Sequence, residues 1–275
     1  MSAARKLLAG ALVAAAGCRI ADIDYTGKQC PCPQGYACEP ASNTCARSVT
    51  GDGPIPNDGP APDGDAALPC AANGFFCDDF ETGDLSRWTT SYLSPTVTLD
   101  VEKTNVSSGH FALDANVPAM PTGGAIAAAV EQFPPLSTGT FAVRAWFYLP
   151  QPLIHFDSVI TMVQSGHVLT VDADDSSYWT FTEHTPTGSP PDQHSTTLSV
   201  TNAWTCVEVD YEFAKNGGAA TVTLYLADKA AFATAAADPA ATFGELRIGV
   251  SRADAGGDHV IVDDVVLATQ HIGCN

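Results

Sequence analysis

The chain is poor in charged residues, and poor in basic ones above all. Asp, Glu, Lys and Arg make up 16% of its 275 residues, and 12 basic against 31 acidic side chains give a formal net charge of −19. A chain this acidic repels phosphate backbones and anionic headgroups, so nucleic acid is not expected as a partner. It also lacks an apolar run long enough to cross a bilayer. Its apolar residues, 45% of the total, are nevertheless enough to bury a core.

Motifs of several common enzyme classes are also missing. The chain has no Gly-x-Ser-x-Gly nucleophile motif and no phosphate-binding glycine loop, and its seven histidines follow no motif spacing. These absences argue against hydrolases of the nucleophile-elbow type and against nucleotide-binding enzymes. Binding, structural and carboxylate-based functions are left to consider.

The first eighteen residues have the layout of an export signal. Arg5 and Lys6 precede a short apolar stretch, and small residues lead up to Cys18. The stretch cannot span a bilayer but fits the apolar region of a signal peptide. Residues 15–18, Ala-Ala-Gly-Cys, resemble the processing site of bacterial lipoproteins, in which the cysteine is lipidated. The resemblance implies a signal peptide at 1–17 and a lipid anchor on Cys18. An ordinary cleaved signal peptide is the alternative.

The cysteine content agrees with a location outside the cytoplasm. Nine cysteines are more than a reduced cytosolic enzyme usually carries. If Cys18 carries the lipid, an even number remains for disulfides. We therefore expect a monomeric, membrane-anchored protein on the outer membrane or cell surface, with the periplasmic face as the other location.

A cysteine-rich segment follows the anchor, within residues 18–48. It is too short to bury a core, so cross-links have to replace one. It resembles the growth-factor-like knuckles near the N-terminus of bacterial surface lipoproteins. We expect two disulfides, with three pairings open; a zinc site is the alternative, against which the spacing argues. The cysteines concerned are Cys30, Cys32, Cys38 and Cys45.

Residues 49–68 separate this knuckle from the rest of the chain. They are rich in Pro, Gly and Asp, a composition that opposes helices and strands, and their aspartates repel one another. The spacing of a calcium-binding EF-hand loop is absent. This composition predicts an extended tether that holds the domain at 69–275 away from the membrane.

The remaining residues predict an all-β domain. Short runs with a period of two alternate with turns rich in Gly, Pro, Asn and Asp. Residues 140–149 are the clearest run, with alternate apolar residues on one face and Arg144, Trp146 and Tyr148 on the other. Residues 228–237 are the exception, because their composition predicts a helix. About ten to twelve strands in this length favour a double-sheet jelly-roll sandwich. The other predicted strands are 159–163, 167–171, 206–213, 221–226, 246–250 and 260–267.

Four segments in the same order resemble concanavalin A-like jelly rolls of the lectin/glucanase or laminin-G-like group. Residues 76–88 resemble their opening, 139–149 their middle strand, 204–228 their late hairpin and 261–274 their closing strand. The resemblance covers residues 75–275. It implies a concanavalin A-like sandwich and a role with carbohydrate or with another surface polymer.

Glu208, Asp210 and Glu212 alternate along one predicted strand, so they share one face. Two such carboxylates, about 5–5.5 Å apart, can act as nucleophile and general acid on a glycosidic bond. The spacing resembles that of laminarinases and lichenases, but here the motif lies on the late hairpin. A glycan-cleaving enzyme is therefore an alternative function, and a solvated strand face is the interpretation we favour.

Non-catalytic binding of carbohydrate or a surface polymer is the function we expect. Sugar rings stack on exposed aromatic faces, and polar side chains read their hydroxyl groups. A structural envelope protein without a small ligand is a further alternative, in which these rings only cover the sandwich. The candidate binding residues are Arg144, Trp146, Tyr148, Tyr178 and Trp179.

The resemblance also suggests a structural calcium site, because such folds place their first and last strands side by side. Hard carboxylate oxygens suit Ca²⁺. The candidate ligands are Asp79, Glu81, Asp263 and Asp264.

Four further cysteines, Cys70, Cys77, Cys206 and Cys274, are expected to pair within the sandwich. We expect Cys70 to pair with Cys274, which would tie the ends together. Cys77 would then pair with Cys206.

Overall fold

The structure is a computed structural model. It describes residues 36–39, 44–47, 74–119, 124–153, 157–173, 178–188, 193–215, 218–238, 241–253 and 257–274. The chain divides into two compact units, Met1–Pro62 and Asp63–Asn275, and this division falls inside the predicted tether. The predicted signal peptide, lipidation site and tether lie outside the described residues, as do Cys18, Cys30, Cys32 and Cys70.

The described residues of the first unit form a β-hairpin. Strand β1 (Tyr36–Glu39) pairs antiparallel with β2 (Thr44–Arg47), and Cys38 lies directly opposite Cys45 in the register. The side chains of these two strands lie outside the described part of the structure, so the disulfides expected in the cysteine-rich segment stay predictions.

The described residues of the second unit form fifteen strands and no helix. In that part of the chain no helix is long and apolar enough to cross a membrane. The strands are β3 (Gly74–Asp78), β4 (Thr90–Leu93), β5 (Thr98–Glu102), β6 (Ala112–Val117), β7 (Ala125–Leu136), β8 (Thr140–Tyr148), β9 (Asp157–Gln164), β10 (His167–Ala173), β11 (Tyr178–His184), β12 (Gln193–Leu198), β13 (Trp204–Glu212), β14 (Thr221–Leu226), β15 (Lys229–Ala235), β16 (Phe243–Ala253) and β17 (Asp258–Ala268).

These strands build two antiparallel sheets. One has seven strands in the order β12-β11-β10-β9-β16-β7-β4. The other has eight, in the order β15-β14-β13-β8-β17-β6-β5, with β3 paired to β17 as well. Buried apolar side chains from strands of both sheets form one core. The predicted all-β, double-sheet sandwich is confirmed.

Strand β8 shows why the chain folds this way. Phe141, Val143, Ala145 and Phe147 are fully buried in the core, whereas the side chains between them point to the outer face of the eight-stranded sheet. This is the alternation that the sequence predicts for residues 140–149. The outer face of this strand carries several of the candidate binding residues.

The helix predicted at residues 228–237 is wrong, because this segment contains the edge strand β15. Ala227 and Asp228 both have positive φ, 47° and 63°, and so form a tight turn after β14. The turn folds β15 back onto β14, where Phe232 packs against the core. Pairing and burial therefore override the helix propensity of the alanines.

The expected disulfide pairing is also wrong. Cys206 is bonded to Cys274, with 5.9 Å between their Cα atoms, and Cys77 belongs to another disulfide. Cys206 lies on β13, and the segment that follows β17 carries Cys274 back across this strand. The sequence could not reveal this return path, because residues 269–274 have no strand periodicity.

Candidate functional site

A cleft with a volume of about 520 Å³ lies at the end of the eight-stranded sheet where β13 begins and β14 ends. Trp146 and Trp204 line it, and both side chains are partly exposed. Thr196 and Thr197 of β12 add hydroxyl groups to the lining. Among the described residues that line the cleft, Lys229 is the only charged one. A mainly apolar cleft of this size with a few polar groups is typical of a small-ligand site.

The strand register brings the aromatic side chains together. Trp146 lies opposite Cys206 in the β8–β13 pair, and Tyr148 lies opposite Trp204. All four side chains point to the outer face of the eight-stranded sheet. Trp146 and Tyr148 alternate with the core residues of β8, and residues that lie opposite each other in an antiparallel pair share a face. The Tyr148 and Trp204 rings are 5.6 Å apart between centroids. These rings form an aromatic surface at the cleft, in a domain that is otherwise acidic.

The structure places the five predicted binding residues in different environments. Trp146 lines the cleft, and Tyr148 stands beside it against Trp204. Tyr178 lies on β11 of the other sheet. Trp179 is 1% exposed and packs in the core against Phe147, so it offers no surface for stacking.

Arg144, the fifth of these residues, does not face a ligand site either. It is buried on the outer face of β8, where its guanidinium donates to the carbonyl oxygens of Gly273 (3.2 Å) and Asp264 (3.3 Å). Burial lowers the pKa of Arg144 from its ordinary value, while the acidic groups near it act in the opposite direction. Its contacts hold the C-terminal segment on the sheet, which is a structural role.

The sequence prediction missed Trp204, Lys229 and the two threonines of the cleft. Trp204 was available as a signal, since it begins the predicted hairpin strand, but its neighbour Tyr148 is 56 positions earlier. Only the register of β8 against β13 shows that these two rings meet.

The acidic row on β13 lies on the outer face, and the C-terminal segment covers part of it. Glu208 is fully buried, and its carboxylate accepts hydrogen bonds from the backbone N–H groups of Ile272 (2.6 Å) and Gly273 (2.8 Å). Burial and the charge of Glu208 raise the pKa of Asp210 to about 7, against the opposing effect of His271. Glu208 thus anchors the C-terminal segment.

Glu212, the third member of the row, stands apart from this arrangement. It is exposed and bonds to Lys215 at 2.6 Å, and this hydrogen bond lowers the pKa of Glu212 from its ordinary value. The three carboxylates therefore share a face of β13, as predicted, but only Glu208 and Asp210 share an environment.

The four predicted calcium ligands are neighbours but do not converge on one point. Among the described residues, the three-member group of ligand atoms within 4.8 Å of one another is a different one, Glu208, Asp210 and His271. Asp79 bonds to the N–H of Glu81, and Glu81 accepts from the N–H groups of His110 and Phe111. Asp79 thus closes a local turn, whereas Glu81 ties the segment after β3 to the segment before β6. Calcium at this end of the sandwich stays a prediction.

The other two of these ligands, Asp263 and Asp264, lie at the bulge in β17. The buried Asp263 carboxylate accepts from the N–H groups of Ser107 (2.8 Å), Ser108 (3.1 Å) and Asp264 (2.8 Å). Asp264 accepts from the hydroxyl of Ser108 at 3.1 Å and has a positive φ of 52°. Asp263 therefore ties the loop after β5 to the last strand.

We expect Asp263 to make the domain less stable as the pH rises from 5 to 8. Burial and the neighbouring Asp264 raise the pKa of Asp263 to about 7, although backbone N–H groups oppose the rise. The folded state favours the protonated Asp263 carboxyl. The contribution of this group to the free energy of unfolding is therefore complete below the unfolded pKa of about 4 and is lost as the pH passes 7. Between pH 5 and pH 8 a shift of this size corresponds to a loss of up to about 3 kcal/mol. Urea unfolding at pH 5 and pH 8 measures it.

The matched variants for this test are Asp263→Asn and Asp84→Asn. Asp263→Asn removes the titrating group, so the difference in unfolding free energy between the two pH values is expected to shrink. Asp84 is exposed and hydrogen bonds to Ser86 lower its pKa, so it does not titrate in this range and its variant keeps the wild-type difference. An unchanged pH dependence in Asp263→Asn would contradict the assignment.

Comparison with known proteins identifies the fold. No protein-family model and no curated protein matches the chain. Among solved structures it is similar to the cellulose induced protein Cip1, with 20% identity and a TM-score of 0.54 over 73% of this chain and 100% of that one. It is also similar to the endo-β-1,4-glucuronan lyase from the fungus Trichoderma reesei, with 14% identity and a TM-score of 0.55 over 72% of this chain and 96% of that one.

A third similar structure is the receptor binding domain of botulinum neurotoxin type G. It shares 8% identity at a TM-score of 0.51, over 74% of this chain and 49% of that one. The chain has the jelly-roll fold. At these identities the similarity shows the fold alone, so function has to be argued from the cleft.

Proposed function

We propose that the jelly-roll domain binds carbohydrate, without catalysis, in the cleft lined by Trp146 and Trp204. The observation that carries the proposal is the pair of partly exposed tryptophans beside Tyr148, in a cleft of about 520 Å³. Aromatic rings offer the flat apolar face on which a sugar ring stacks. The threonine hydroxyls and the Lys229 ammonium supply groups that hydrogen-bond to sugar hydroxyls.

Absence of catalysis is part of the same proposal. Glu208 lies beneath the C-terminal segment, and its carboxylate oxygens already accept two backbone hydrogen bonds. A glycosidic bond would need open access to a pair of carboxylates. The acidic surroundings favour neutral or cationic glycans over polyanionic ones.

We further propose that the protein is exported and anchored to a membrane through a lipid on Cys18, on the outer membrane or cell surface. The sequence layout around Cys18 and the Cys206–Cys274 disulfide support this, because disulfides persist in oxidising compartments. Metabolic labelling with a clickable fatty acid, in wild type and Cys18→Ser, tests the anchor.

A glycan array tests the binding function. The purified full chain is expected to retain neutral or cationic oligosaccharides, and Trp146→Ala and Trp204→Ala are each expected to weaken binding by at least about tenfold, or 1.4 kcal/mol. Tyr92→Ala is the control, because Tyr92 is a partly exposed ring on β4, the edge of the seven-stranded sheet opposite to β12, and its affinity should match the wild type.

Reducing-sugar release from the same glycans, measured beside retention, separates the alternatives. Release of reducing sugar by the wild type and its loss in Glu208→Gln would show a glycan-cleaving enzyme instead. Binding that both tryptophan variants retain would place the glycan elsewhere. No retention of any glycan by the wild type would favour a structural envelope protein.

A further inference from the structure

A second group of chemically active side chains lies further along the outer face of β13 than Trp204. His271, on the segment after β17, brings its Nδ1 atom to 3.1 Å from Glu208 Oε1 and to 3.0 Å from Asp210 Oδ2. These three atoms all lie within 4.8 Å of one another. His271 is 61 positions after Asp210 and 63 positions after Glu208 in the chain, so the fold brings the group together.

The other carboxylate oxygen of Asp210, Oδ1, lacks a hydrogen-bond partner. Asp210 is 8% exposed, and its Oδ1 atom is buried without a hydrogen bond, while Oδ2 contacts His271. A buried carboxylate oxygen without a partner is costly, and the second carboxylate beside it adds repulsion. A cation held among these ligands would offset the repulsion between the two carboxylates.

We propose that Glu208, Asp210 and His271 form a binding site for a divalent transition-metal ion of the Zn²⁺ class. One imidazole nitrogen and two carboxylate oxygens are a ligand set that Zn²⁺ accepts, whereas Ca²⁺ takes six to eight oxygens. Bonds of about 2.0–2.1 Å in a tetrahedron place the ligand atoms about 3.3 Å apart. The observed separations of 3.0 and 3.1 Å need only a small expansion.

The surroundings suit such a site. The N–H groups of Ile272 and Gly273 orient the Glu208 carboxylate, and the Cys206–Cys274 disulfide fixes the segment that carries His271. The His271 side chain is 47% exposed, which gives an ion access from solvent and leaves room for water as a further ligand. The ion would clamp the C-terminal segment to β13.

The test is titration of the metal-free, full-length chain with Zn²⁺ against a chromophoric chelator. The wild type is expected to bind one equivalent more than His271→Ala or Asp210→Asn, or to bind that equivalent at least 100-fold more tightly. Comparing variants is needed because the cysteine-rich segment is an independent candidate for zinc.

His259→Ala is the matched control. His259 Nε2 bonds to Asp114 at 3.0 Å on β6, so it reproduces an imidazole–carboxylate pair, and among the described residues this pair belongs to no three-member group of ligand atoms within 4.8 Å of one another. Its variant should keep the wild-type stoichiometry and affinity. The His271 side chain is 47% exposed, so we expect the domain to fold without it. His271→Gln is a second variant that keeps a polar side chain at this position. Equal Zn²⁺ stoichiometry and affinity in the wild type and both His271 variants would overturn the proposal.

Discussion

Replacing Glu183 by alanine is expected to lower the free energy of unfolding by about 3–5 kcal/mol. Glu183 is 2% exposed, and its carboxylate accepts from His167 Nε2 at 2.7 Å and from the N–H groups of Ala237 (2.7 Å) and Asp238 (3.3 Å). Burial opposes its charge, yet these hydrogen bonds hold the pKa of Glu183 below its ordinary value. The variant would leave the buried His167 ring nitrogen and the backbone N–H groups of Ala237 and Asp238 without their acceptor.

Urea unfolding followed by circular dichroism measures this loss. Glu131→Ala is the matched control, because the Glu131 carboxylate also accepts two hydrogen bonds, both from Thr89, but at the surface. We expect the control to lose about 1 kcal/mol or less. Equal losses of unfolding free energy in the two variants would mean that burial of the Glu183 hydrogen bonds adds nothing to the stability of the domain.

The second large effect is expected from the disulfide between β13 and the C-terminal segment. Cys206 and Cys274 are 68 positions apart, and closing a loop of this length restricts the unfolded chain by about 4 kcal/mol in the chain-entropy model. The double variant Cys206→Ser, Cys274→Ser is therefore expected to unfold at a lower urea concentration. It should also free the segment that covers Glu208.

Hydrogen exchange of the amides of Ile272 and Gly273 gives the local readout, since both donate to the buried Glu208. We expect their protection to fall in the double variant. The seven-stranded sheet is the internal control, and its interior strand β16 should stay protected. Unchanged exchange at Ile272 and Gly273 would show that the Glu208 anchor is sufficient without the disulfide.

The sequence predicted the sandwich because its strands have one buried face. Period-two alternation placed Phe141, Val143 and Phe147 in the core before any pairing was known. The strands before residue 140 were not assigned individually, since short runs such as β4 are partly exposed and carry no clear alternation. Residues 228–237 misled the prediction, because edge pairing rather than propensity decides their conformation.

The candidate sites were harder to predict, because each depends on contacts between distant segments. Trp146 was identified on its strand, but its partner Trp204 reaches it only through the register of β8 and β13. His271 carried no motif spacing, and the path of the C-terminal segment brings it to Glu208 and Asp210. Sequence patterns predict which face a side chain takes but not which distant residue meets it there.

Tryptophan fluorescence tests the proposed binding site most directly. Trp88 and Trp179 are buried, at 6% and 1% exposure, so acrylamide should quench only Trp146 and Trp204. We expect the oligosaccharide bound most tightly on the array to protect these two rings from quenching. We also expect the double variant Trp146→Ala, Trp204→Ala to lose the binding. An oligosaccharide that binds the double variant with wild-type affinity would show that the carbohydrate site is not at these two rings.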